Sequence, residues 1–231
     1  MANDLMKVAE QNLPLTEQEV VKGLKSALEV GTDNAVDIVS VTNGFFNDNT
    51  IKILLPPEAD VITQNMNNPL LKAIGITDLI DDVVLRMNRS AEQAAKQATP
   101  IFINAIKSMS IQDAFSILNG ADNSATLYFK GKTYNQLQNA FKPKIHNSLN
   151  KPIISGVSAN KAWNTLTSGY NQVANLVPGW NKVDTNLDDY VTKKALDGLF
   201  LKVALEEKKI RDNPSARVND ILKRVFGDKL Y

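Results

Sequence analysis

Apolar side chains return every three or four residues through most of this chain, a period that admits α-helices and little else. Thr16 followed by Glu19 has the spacing of a capping box and opens a long helix. From there Val20, Leu24, Ala27, Leu28, Gly31, Ala35 and Ile38 form a stripe for one buried face. The stretch "VTNGFFNDN" stops it, with Asn43-Gly44 as C-cap or turn. "TIKILLPP" then reads as an extended connector or a lone strand near 50–55, too short to imply a sheet. A second long helix is predicted from Asp78 to about Ala98 on the stripe Ile80, Val83, Val84, Met87, Ala91, Ala94 and Ala98. Pro100 ends or kinks it before "IFINAIKSM".

Three short units follow, each with its own start signal. Ser110 with Asp113 opens one that stops at Asn119-Gly120. Asp122 or Ser124 opens "SATLYFKG", which stops at Gly131, and Thr133 with Gln136 opens a helix carrying Leu137, Phe141 and Ile145. A helix from Ser158 to about Asn175 is anchored by Trp163, Leu166 and Tyr170, and "LVPGWNKVDTN" is a loop holding Trp180. The last long helix runs from Leu187 to about Asp212. Beyond it, Asn213 caps a final helix with Pro214 in its first position and Gly227 at its end. With no repeat and no linker composition, the expectation is an all-α fold. It is one domain over 1–231, long amphipathic helices packed around several short ones, with 1–15 as a peripheral segment.

Composition excludes more than it assigns. The 231 residues hold 26 Lys plus Arg against 25 Asp plus Glu, so no basic footprint for nucleic acid exists. With no Cys and one His, His146, thiol catalysis and Ser-His-Asp chemistry lack their parts, and no cofactor is expected. No apolar run reaches the length of a membrane span.

Four local patterns invite chemistry, and each has a simpler reading. Ser158 and Lys161 match Ser-x-x-Lys, which sets an amine one turn from a hydroxyl, but a Ser at a helix start is first an N-cap. Asp184, Asn186 and Asp188 occupy the opening ligand positions of a calcium loop. Asp189 then stands where Gly is needed and Ala195 where a bidentate Glu belongs. Asp188 as N-cap of the following helix accounts for the same residues. Asp78, Asp81 and Asp82 suit a helix N-terminus. His146, among cations and with no acid nearby in sequence, reads as a surface or capping histidine.

The run "EEKKIRDNPSAR" is the sharpest case. The stripe Leu196, Leu199, Phe200, Val203 continues through Glu207 to Ile210, whereas Glu206, Lys208 and Lys209 fall off it and should be solvated. A lone buried carboxylate is costly, so Glu207 is expected to be clamped by Arg211 or Arg217, or by Arg86 or Arg89 from the second long helix. A structural latch fits better than a catalytic acid.

"GLKSALEVGTDNAV", "MNRSAEQAA", "AIKSMSIQDAFSILNG" with "ATLYF", and "DDYVTKKALDGLF" running into "EEKKIRDNPSARVNDILKRVFG" together resemble the uncharacterised bacterial domain-of-unknown-function family 4197, over roughly residues 23 to 227. The resemblance implies a helical domain of an exported, lipoprotein-like protein of the periplasm or envelope. Met1 would then stand where a leader, with or without a lipid anchor, was removed. A cytoplasmic location is equally compatible with the residues. The family brings no activity and no site residues. The leading expectation is a non-enzymatic binding or interaction protein with an apolar ligand or a protein partner. The alternatives are a hydrolase-like or metal-dependent enzyme built on Glu207, Arg211, Arg217 and Arg89, and a structural homo-oligomer.

Overall fold

The computed structural model describes residues 16–60, 76–152, 156–174 and 182–213. The segment 1–15, the loop Trp180, Arg217 and the closing helix expected after Asn213 lie outside the described residues. The architecture is mostly helical: α1 (Glu17–Ser40), α2 (Ile76–Ala95), α3 (Ala98–Lys107), α4 (Ile111–Leu118), α5 (Ser124–Leu149), α6 (Ala159–Ala174) and α7 (Leu187–Asp212), with a 3-10 turn at Pro57–Ala59. No strand forms among the described residues; Pro152 and Ser158 make one isolated bridge.

α7 lies between α1 and α5, α2 packs on α5 and α1, and α3, α4 and α6 close the periphery. Phe102 of α3 meets Phe129 of α5 and Phe200 of α7 edge-on, with ring centroids 5.3 and 6.1 Å apart. Such pairs add to the burial of the rings themselves. Gly31 and Gly198 let α7 approach closely. A Cβ at Gly31 would stand 3.3 Å from Ile210 Cδ1, and one at Gly198 only 2.7 Å from Phe45 Cε1.

The α1 capping box forms as expected: Thr16 Oγ1 accepts from Glu19 N, and Glu19 Oε2 accepts from Thr16 N. The stripe departs from expectation at its end, where Ile38 is 43% exposed and Val39 is buried instead. Asn43 takes a left-handed conformation with φ 71°, and Gly44 follows where a Cβ would lie 2.4 Å from Ile38 O. α1 has already ended at its extended C-cap, Val41, so these two residues are the turn that follows and not the cap. The connector at Ile53 is extended without a sheet. Asn88 Nδ2 donates to Ile53 O and Asn88 Oδ1 accepts from Ile53 N, both at 2.8 Å, so a side-chain amide stands in for the missing neighbouring strand.

Two further boundaries differ from the sequence reading. α2 ends at Ala95, and Pro100 then sits in the first turn of α3, where its missing N–H has no intrahelical partner to lose. The two units predicted between Ser124 and Ile145 are one helix, α5. Gly131 faces open space, and Thr133 is buried with its hydroxyl donating to Phe129 O, so neither acts as a stop or a cap. Ala125, Phe129, Thr133, Leu137, Phe141 and Ile145 form one unbroken buried line, and packing along it overrides the local signals.

Candidate functional site

Glu207 lies on the buried face of α7 and reaches the start of α5. Its Oε1 accepts from Ala125 N at 2.9 Å, and its Oε2 from Thr126 N at 2.9 Å and Thr126 Oγ1 at 2.8 Å. Asn123, at the N-cap position of α5, makes no side-chain cap, so a carboxylate from another helix supplies it. α5 does begin at Ser124, one of the two expected starts, but neither Asp122 nor Ser124 caps it. A negative charge there also meets the positive end of the α5 dipole.

Arg211, one turn further along α7, completes the pair. Its Nε and Nη2 donate to Glu207 Oε1 at 3.1 and 2.8 Å. Nη2 also donates to Ile117 O at 2.8 Å, at the carbonyl end of α4. The carboxylate thus holds the amide end of α5 while the guanidinium holds the carbonyl end of α4, and the α4–α5 corner is pinned to α7. Both side chains are almost wholly covered, at 6% and 11% exposed. Glu206 was expected in solvent, yet it is buried as well. It accepts from Asn34 Nδ2 of α1 at 3.1 Å and from Lys209. The tight approach of α1 past Gly31 widens the buried arc of α7 beyond the apolar stripe.

Arg86 and Arg89 go elsewhere. Arg86 donates to Pro152 O. Arg89 forms a second clamp of the same design: its Nη1 donates to Glu92 Oε2 at 2.7 Å and its Nη2 to Asn43 Oδ1 at 2.6 Å. Glu92 Oε1 accepts from two successive backbone groups, Phe45 N and Phe46 N, each at 3.2 Å. Arg89 therefore does not join Glu207 in one site, because the α1–α2 connector claims it.

Glu207 and Arg211 also line a crevice with Leu24, Leu28, Phe129, Val203 and Ile210, between α1, α5 and α7. Its volume of about 30 Å³ is room for roughly two waters, far below a site for an acyl chain or a drug-sized ligand.

The possible metal ligands do not converge. Asn186 is the N-cap of α7, its Oδ1 accepting from Asp189 N, and Asp184 is exposed. Asp188 sits inside the first turn and is not the cap as expected. No group of three metal-binding side chains occurs among the described residues. Ser158 Oγ accepts from Lys161 N at 3.2 Å, the behaviour of an N-cap. Asp81 and Asp82 lie in the early turns of α2.

One arrangement escaped the sequence reading. His146 has an acid beside it after all: Nδ1 lies 2.6 Å from Asp188 Oδ2, and Asn160 Nδ2 donates to Asp188 Oδ1 at 2.9 Å. Asp188 accordingly joins the starts of α6 and α7 to the end of α5. The partners are 42 residues apart, so no local spacing could reveal the pair. In the connector, Asp48 is tied to Lys202 of α7 at 2.5 Å. That ammonium, with the Thr50 hydroxyl, lowers the Asp48 carboxyl to about 2.

Fold and clamps together define an all-helical protein whose buried carboxylates serve its corners. Residues 14–227 match the family model described as "Protein of unknown function (DUF4197)", and the chain belongs to that family. Comparison with curated proteins and with solved structures found no match.

Proposed function

We propose that this chain is a non-enzymatic interaction protein of the bacterial periplasm or envelope, working on a protein partner through its surface. One observation carries the reading: the most site-like group, Glu207, has both oxygens occupied by Ala125, Thr126 and Arg211. A carboxylate so held has no lone pair left for a substrate or a water, which counts against an enzyme built on the Glu/Arg cluster. The small size of the crevice beside it counts against an apolar small molecule held at this cluster. The envelope location, and a lipid anchor on the precursor, rest on what the family resemblance implies.

Native mass spectrometry of the chain isolated from its own host, together with cell fractionation, tests this. The expected result is an envelope-associated particle heavier than the 25.4 kDa chain by the mass of a protein. A bare monomer, or a monomer with a small adduct, sinks the reading.

The His146–Asp188 pair favours a second reading, a His-assisted hydrolase. An ionised Asp188 accepts only, so it selects the tautomer with the proton on Nδ1 and leaves Nε2 as a base at the surface. Asn150 Nδ2 lies 3.3 Å from that nitrogen. Under this reading, hydrolysis of activated esters by the purified chain disappears in His146→Ala. Turnover indistinguishable between the two proteins counts against it.

A further inference from the structure

We propose that the solvent face of α7 pairs with the same face of a second copy of this chain, antiparallel and about a two-fold axis midway between Leu201 and Leu205. This names a partner for the interaction reading above and rests on it only in taking the surface as the working part.

The face consists of Lys194, Asp197, Leu201, Leu205, Lys208 and Asp212, spaced three or four residues apart and so aligned on one side of the helix. All six are exposed, opposite the buried line of Val203, Glu207 and Ile210. Leu201 and Leu205 are 41% and 48% exposed, one turn apart, on a helix with a complete buried face of its own. They are surplus to the core.

The charges around them decide what covers them. A two-fold axis between the leucines lays Lys194 on Asp212 of the copy, Asp197 on Lys208, and Leu201 on Leu205. Each contact is then either apolar on apolar or opposite in sign, and symmetry makes each occur twice. A parallel pairing would set every charge against its own kind, so the pattern selects the orientation as well as the partner. The equal numbers of Lys and Asp leave no basic bias toward an anionic lipid surface. Asn34 of α1 bonds Glu206, so Ile38, one turn further along α1, stands level with Lys202 and adds an apolar flank that is 43% exposed. Within the monomer Lys208 pairs with Asp212 at 2.6 Å, but both are more than half exposed, so exchanging that bond for one across the axis costs little.

Sedimentation of the purified full chain across a micromolar concentration series tests this. The wild type is expected to show a species of twice the 25.4 kDa chain mass that grows with concentration. Leu201→Glu with Leu205→Glu should sediment as a monomer while keeping the wild-type melting curve. Lys194→Asp should weaken the dimer roughly tenfold by setting a carboxylate against Asp212 of the copy. Adding Asp212→Lys should restore it with the charges exchanged. A wild type that stays monomeric throughout overturns the proposal. So does a dimer indifferent to the Leu201 and Leu205 changes, or a charge reversal that the second substitution fails to rescue. If the chain sediments as a monomer while native mass spectrometry finds a different protein bound, this inference falls and the interaction reading stands.

Discussion

Replacing Glu207 by Gln keeps the shape of the α4–α5 clamp and removes its charge. The amide must turn its NH2 toward one of two sets of donors. Facing Oε1's partners, it opposes Ala125 N and two guanidinium nitrogens; facing Oε2's, it opposes Thr126 N while the Thr126 hydroxyl can reverse and accept. The second orientation is the less costly. It still leaves the buried Thr126 N–H without an acceptor, worth about 1–3 kcal/mol. It also deprives Arg211 of its counter-charge. Breaking a buried pair by removing one partner typically costs about 3–5 kcal/mol. Arg211 keeps Ile117 O, which places the loss near the low end, at about 3 kcal/mol. For a chain of this size that is a fall in melting temperature of roughly 6–12 °C, read by calorimetry or circular dichroism. Glu206→Gln is the control: its cationic partner Lys209 is 55% exposed, so the loss should stay below about 1 kcal/mol. In a double-mutant cycle with Arg211→Met, Glu207→Gln should show coupling of at least about 1 kcal/mol. A melting temperature for Glu207→Gln within about a degree of wild type would falsify the clamp.

Glu92→Gln should destabilise by about 2–3 kcal/mol, somewhat less than Glu207→Gln because Arg89 is 27% exposed. Hydrogen exchange at Phe45 N–H and Phe46 N–H should quicken, and unchanged protection at both would count against that clamp. Gly198→Ala gains helix propensity but drives a methyl into the buried Phe45 ring, for a net loss of about 1–2 kcal/mol by urea unfolding. A stabilised variant would mean the Phe45 turn yields. Asp48 is ionised well below its ordinary 3.8, so its pairing with Lys202 contributes in full above that pH and is lost as the pH falls through about 2. After allowing for solvent screening, this is about 1 kcal/mol. Asp48→Asn should remove that part of the acid-induced loss, and identical stability curves for the two proteins between neutral pH and pH 2 would refute it.

What was legible follows from the range of the interaction. Helix starts at Thr16 and Ser110 were readable because a capping box is complete within four residues. The burial of Glu207 was readable from phase, and Arg211 lay one turn away. What Glu207 does was not, because Ala125 and Thr126 lie 82 and 81 residues distant. The same distance effect misled the reading of α5. Thr133 and Gly131 carry the local marks of a start and a stop, yet only the tertiary line through Phe129, Leu137 and Phe141 decides. Arg89 is one of the four arginines that the sequence offers to Glu207, but it pairs with Glu92, three residues on. Glu92 directly follows Ala91 of the buried stripe, one turn after Asn88, which follows Met87, and that spacing was the available signal.

The two clamps share a logic that bears on cooperativity. In each, a Glu and an Arg on one turn of a long helix secure a corner far away in sequence: Asn43 to Phe46 for Glu92, and Ile117 to Thr126 for Glu207. A corner closed by its own cap can fray alone, since opening exposes donor and acceptor to water together. A corner closed from another helix cannot, because its departure strands a buried carboxylate that remains anchored in the core. The α4–α5 corner is therefore tied to α7, and the α1–α2 connector to α2. Exchange of the Ala125 and Thr126 amides should then follow the global unfolding free energy rather than a local opening. Replacing Glu207 by Ala with Asn123→Asp, which returns the cap to α5 itself, should uncouple the corner. Exchange there would become faster than global unfolding, and exchange still matching it would show that the clamp is not what binds the corner to α7.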